Sequence, residues 1–337
     1  MALPFNQQRP MARPIASPAL APNEFERGDE AGLTIALVNN MPDSALKATE
    51  RQFMRLVQSA AGKTSVRFHC FALPTVARSK QAKDHIDKEY IDTAELHRLH
   101  VDGLIVTGAE PLAATLQEEP YWREFTDLID WARANTRSVI WSCLAAHAAL
   151  LHLDRIERKR LPQKCSGVYD CAKTANDWLT SDLPPSIKIS HSRLNEVHES
   201  DLVAAGYQTL TRSEQAGVDI FARDLESRFI FFQGHPEYDA LSLQREYMRD
   251  IARFLAGERK DYPAIPASYF DTETEGVLAD FEERARAHRK VELAAELPGL
   301  TLRQGVPAGG AATTMFHSWL DFLGADARVR PPESVRK

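Results

Sequence analysis

The sequence predicts an α/β fold, a mostly parallel sheet covered by helices on both faces. Two observations carry this. Short apolar runs rich in β-branched residues alternate with amphipathic stretches of ten or more residues through the first half of the chain. The runs Leu33–Val38, Val101–Thr107 and Phe229–Gln233 stop at Asn or Gly, and their unbroken apolar character suits strands buried on both faces.

Residues 1–30 hold Pro4, Pro10, Pro14, Pro18 and Pro22 without a sustained apolar period and read as a flexible arm. Leu33-Thr-Ile-Ala-Leu-Val38 is the first strand, stopped at Asn39-Asn-Met-Pro42. A helix is expected from about Ala45 to Ala60, with Leu46, Phe53, Leu56 and Val57 as its apolar stripe and Gly62 as its stop. Ser65–Phe71 and Val101–Thr107 are further strands, and the second runs into Gly108-Ala-Glu-Pro111. Tyr121–Ala134 reads as a helix and Ser138–Ser142 as a strand that meets Cys143 and a small-residue helix, Leu144–Leu153. Beyond Asp154 the pattern is irregular, with short strands near Ile187 and at Val218–Phe221 and Phe229–Gln233, then a helix from Leu241 to Leu255. Residues 31–258 are thus expected to form one catalytic domain. The rest, 259–337, reads as a partly disordered extension with a docking segment near 313–323.

With 41 basic and 47 acidic residues the net charge is −6, which disfavours nucleic acid or an anionic membrane as partner and favours a small-molecule substrate. Without an apolar run long enough to span a bilayer or an apolar leader, the protein is expected in the cytoplasm. Four scattered cysteines in 337 residues make no disulfide framework. Cys165 and Cys171 lie at poor zinc spacing and read as packing thiols, so no metal is expected.

A cysteine between a strand and a helix sits at the carboxyl edge of a parallel sheet, where the helix start favours thiolate. Free cysteines more often only pack. His235 lies just past another apolar strand and reaches the same edge, with Glu237 placed to orient it. Cys143, His235 and Glu237 therefore make a candidate nucleophile, base and orienting acid.

Five segments, Gly103–Ala109, Cys143–Ala149, Lys164–Tyr169, His191–Arg193 and Gly234–Asp239, resemble the homoserine O-succinyltransferase and O-acetyltransferase family in order and separation. Glu246–Asp250 and Phe316–Leu320 extend the likeness over roughly residues 33 to 325. The resemblance implies a flavodoxin-like fold similar to class I glutamine amidotransferases. It also implies ping-pong acyl transfer from acyl-CoA to homoserine, in methionine biosynthesis, with a thioester on Cys143. His235 would be the base and Glu237 its partner, and Lys164, Ser192 and Arg249 would contact substrate. Arg249 suits a bidentate pair with the amino acid's carboxylate. The amide of Leu144 and the turn at Gly108 are candidate oxyanion donors. No cofactor is implied beyond acyl-CoA as co-substrate, and a homodimer is the implied assembly.

The turn from Asn40 to Glu50 is two residues longer than the family's, so no family role passes to Lys47. The residue after the Pro-Leu pair, which helps select the acyl donor in the family, is Ala113, with Glu110 inserted nearby. A small residue there leaves room for a succinyl carboxylate, so succinyl-CoA is the expected donor. Serine as acceptor, acetyl as donor, and a glutaminase or amide hydrolase using the same triad are the alternatives.

Overall fold

The computed structural model describes residues 32–307 and 309–325, so the expected arm at 1–30 lies outside the described residues. The strands are β1 (Leu33–Val38), β2 (Val66–Phe71), β3 (Gly103–Thr107), β4 (Ser138–Ser142), β5 (Lys159–Lys173), β6 (Ser186–Glu196), β7 (Gln208–Ser213), β8 (Gly217–Asp224) and β9 (Arg228–Phe232). The α-helices are α1 (Asp43–Ala61), α2 (Lys80–Glu89), α3 (Thr93–Leu96), α4 (Trp122–Asn135), α5 (Leu144–Asp154), α6 (Glu199–Ala204), α7 (Ser242–Leu255), α8 (Thr272–Ala287) and α9 (Gly310–Ala325).

The strands form one sheet in the order β2-β1-β3-β4-β9-β8-β7-β5-β6. Pairings from β2 to β9 are parallel, and those from β9 to β6 antiparallel. The parallel half follows from the sequence directly: β1, β3, β4 and β9 are buried along their whole length, so both faces must be covered. One face packs Phe125, Leu128 and Ile129 of α4 and the Ala-rich α5 against Val106, Trp141 and Phe231. The other packs Phe53 and Val57 of α1 and Met315, Phe316 and Trp319 of α9 against Ile35, Ile105 and Ile230.

The region after Asp154 is more ordered than its composition implies. Strands β5 and β7 were not expected: β5 mixes charge with Pro162 and shifts register between Arg160 and Cys165, and β7 shifts register against β8 between Thr209 and Arg212, so neither keeps a clean alternation. The stretch expected to be partly disordered carries α8. Its Leu278 and Phe281 join Tyr247, Ile251 and Phe254 of α7 in a third apolar cluster. Few large apolar residues suffice here because the partner helix supplies the rest. The docking segment near 313–323 falls within α9. No described helix is long and apolar enough to cross a membrane.

Candidate active site

Neighbouring parallel strands bring the proposed nucleophile and base together. In the β4–β9 ladder Ser142 stands opposite Phe232, and the Cys143 amide donates to the Phe232 carbonyl at 2.7 Å. Cys143 is one residue past its strand and His235 three past the next, so both leave from the same carboxyl edge. Cys143 has φ 52° and ψ −111°, a strained backbone for a residue with a side chain, and it caps α5. A sharp strand-to-helix turn of this kind lifts the side chain out of the sheet, and the thiol is half-buried.

His235 and Glu237 are buried, and His235 Nδ1 donates to Glu237 Oε1 at 2.8 Å. That bond assigns the ring proton to Nδ1 and leaves Nε2 for the Cys143 sulfur, within side-chain hydrogen-bonding reach. Burial works against a charged imidazole here, but Glu237 and Cys143 outweigh it and hold His235 well above the ordinary imidazole value. An imidazolium beside sulfur is the counter-ion that a thiolate requires.

Two glycines let backbone come close. A Cβ on Gly108 would stand 2.4 Å from Leu144 Cβ and 2.8 Å from the Ala145 nitrogen, so the turn after β3 lies directly against the start of α5. The Leu144 amide is the first in that helix and has no intrahelical acceptor. The two candidate oxyanion donors thus lie next to one another at the start of α5. A Cβ on Gly234 would come within 2.6 Å of Asp219 Oδ1 and 2.9 Å of His191 Nε2, so only glycine lets the His235 loop pass over that pair. The loop is also tied to β6, where the His235 amide donates to Ser190 O at 2.7 Å.

Lys164, Ser192 and Arg249, far apart in sequence, converge on two carboxylates that sequence reasoning did not single out as site residues. Glu246 accepts from Ser192 Oγ and, at 2.6 Å, from Tyr238 OH, and lies 3.5 Å from Lys164 Nζ. Asp250 accepts from Lys164 Nζ at 3.1 Å and from Arg249 at 3.2 Å, and pairs with Arg259 at 3.1 Å. Burial would raise both carboxyls, but Lys164 and the other donors hold them below the usual carboxylate range. Tyr238 stacks on His235 with ring centroids 4.3 Å apart and so joins this cluster to that ring. Glu246 and Asp250 stand four apart on α7, a spacing that puts both on one helix face. That was the available signal.

Glu110 lines a cleft of about 350 Å³ with Arg253, whose guanidinium is 4.0 Å from it. Ala113 does not line this cleft. Its amide, like that of Leu112, donates to the buried Glu119 carboxylate, at 2.7 Å. Behind the His235 loop, buried Cys171, His191 and Asp219 each place one donor atom within 4.8 Å of the others. Thr211 Oγ1 donates to Asp219 at 2.9 Å, and burial pushes the His191 pKa down.

The homoserine O-succinyltransferase family model matches residues 18–327. A protein of that name from Bradyrhizobium japonicum is 60% identical over 314 residues, covering 92% of this chain and 97% of its own. Another from Rhodopseudomonas palustris is 54% identical over 332 residues, covering 97% and 100%. Among solved structures, a glutamine amido transferase from Methylobacillus flagellatus aligns with TM-score 0.51 and 16% identity over 91% of this chain and 98% of its own, a likeness of fold.

Proposed function

The chain belongs to the homoserine O-succinyltransferase family, and from that membership we propose that it transfers an acyl group from acyl-CoA, succinyl in preference to acetyl, to the hydroxyl of homoserine in methionine biosynthesis. The reading calls for no cofactor beyond the acyl-CoA co-substrate.

The observation that carries it is the coupling of two half-sites through one ring. Tyr238 stacks on the base His235 and bonds Glu246, the carboxylate shared by Ser192 and Lys164. A thiol–imidazole pair alone suits many acyl transfers. One joined to a cluster of fixed cations and anions suits an acceptor that carries both an ammonium and a carboxylate. Arg249 would take the carboxylate as a bidentate pair and Glu246 the ammonium.

In the first half-reaction the Cys143 thiolate attacks the CoA thioester carbon. The new C–S bond forms, the C–S bond to CoA breaks, and the departing thiolate takes the proton from His235. Neutral His235 then removes the homoserine hydroxyl proton as that oxygen attacks the enzyme thioester. The ester leaves, restoring the thiolate and imidazolium. The Leu144 and Gly108 amides would receive the oxyanion in both steps. For the donor, Arg253 offers a cation to a succinyl carboxylate in the cleft beside Glu110.

Incubation with succinyl-CoA alone should add the mass of one acyl group to the wild type and none to Cys143→Ala. An unmodified wild type that still makes the ester would refute the thioester route. Acetyl- and succinyl-CoA crossed with homoserine and serine, followed by CoA release, fix donor and acceptor together. Serine lacks one methylene, worth only about 1–3 kcal/mol of discrimination. Ammonia release from glutamine in place of acyl transfer would overturn the reading.

A further inference from the structure

A cleft of about 810 Å³ opens beside the site between α1 and α7, and its lining includes Tyr238, Glu246 and Arg249. Its α1 wall presents Lys47, Arg51 and Arg55, exposed and spaced four apart, hence stacked along one helix face. The acids on the cleft are already committed. Asp43 pairs with Arg78 at 3.6 Å, Asp239 with Arg245 at 2.7 Å and Glu246 with Lys164 at 3.5 Å. Among the described residues Arg51 and Arg55 have no hydrogen-bond or ion-pair partner, and Lys47 acts on Glu89 only through space. Three uncommitted cations thus line one wall of a cleft in a chain of net charge −6.

We propose that this wall docks the phosphate-bearing end of the acyl-CoA co-substrate, an assignment that rests on the acyltransferase reading above. A CoA thioester ends, beyond a long flexible arm, in a pyrophosphate and a ribose phosphate. That polyanion needs several cations in a row, with guanidinium forks preferred over acids or neutral donors. The thioester would then lie past Tyr238 towards Cys143, and the phosphates would stay in the wide, solvated part of the cleft.

The test compares wild type with Arg51→Gln, Arg55→Gln, the double variant and the double Lys replacement. Gln, Lys and Arg have similar helix propensities, so α1 should survive. The expected result is a KM for succinyl-CoA raised about tenfold in each single variant and more in the double. The kcat at saturating donor and the KM for homoserine should hold, with partial rescue by Lys. Adenosine 3′,5′-bisphosphate should compete with acyl-CoA in the wild type and lose that effect in the double Gln variant. An unchanged donor KM, or a fall in kcat with both KM values fixed, overturns the assignment. Wild type that turns over no acyl-CoA would instead refute the acyltransferase reading. Calorimetric titration with adenosine 3′,5′-bisphosphate still decides the docking in that case, since equal binding by wild type and the double Gln variant, or none by either, overturns it.

Discussion

Glu237 accepts the Nδ1 proton of His235 and leaves the other nitrogen to the sulfur, so its removal acts on tautomer and charge together. Glu237→Gln should lower kcat/KM by about 10² to 10⁴. Its activity should also decline at lower pH than the wild type's as pH rises, because His235 loses the carboxylate that keeps it protonated. A pH–rate profile checks the direction. Arg253→Gln should cut kcat/KM for succinyl-CoA about tenfold more than for acetyl-CoA, measured side by side, if Arg253 meets the distal carboxylate. His147, one turn after Cys143, bonds Gln233 Oε1 at 3.1 Å and is pushed down to about 4, burial outweighing that bond. Its folded pKa lies below the unfolded value near 6.5, so the unfolded chain binds the extra proton between these limits. Stability should therefore be complete above about pH 6.5 and fall towards pH 4, by up to about 3 kcal/mol from this group. His147→Gln should flatten that part of the denaturation profile. Cys143, His235 and Glu237 could be proposed from the sequence because each follows a strand, and the structure brings the three together. Glu246 and Asp250 were not singled out, since a carboxylate beside an arginine on an amphipathic helix reads equally well as solvated surface.

The close approaches of the elements are as demanding as the side chains. The turn after β3 touches α5 where a Gly108 Cβ would collide with backbone as well as with Leu144. Gly108→Ala should shift the helix start and lower kcat more than it lowers the melting temperature, a contrast that paired kinetics and thermal denaturation would expose. Strands β1, β3, β4 and β9 could be read from unbroken apolar runs, since burial on both faces leaves no other composition possible. Strand β5 could not, because its exposed Lys159, Arg160, Pro162 and Gln163 face solvent and its bulge shifts the register. The long β5–β6 pair nevertheless supplies Lys164 and Ser192, so the acceptor half of the proposed site would rest on the part of the sheet least visible in the sequence.

Across the whole molecule, the parallel half of the sheet positions Cys143 and His235, and the antiparallel half returns to hold the His235 loop at Ser190. This order of strands was not readable, since pairing between distant segments leaves no local periodicity. The last described helix, α9, is bound into the same body. Trp319 is fully buried, donates from Nε1 to Ser138 Oγ at 3.0 Å and packs with Phe316 over the sheet. Trp319→Ala should cost about 3–5 kcal/mol, measurable by denaturant unfolding.

The position of α9 also bears on how the chain comes together during synthesis. Ile35 and Ile105 form early, yet the residues that cover them on the α9 side lie at 310–325. Until those residues have emerged, a strip of apolar sheet stays open to water and to other unfinished chains. Contacts that join residues 138 and 319 are also slow to find, since a long loop must close first. Nascent chains halted before residue 310 should therefore be the species that aggregates and that chaperones hold, whereas the finished chain seals itself with a single helix.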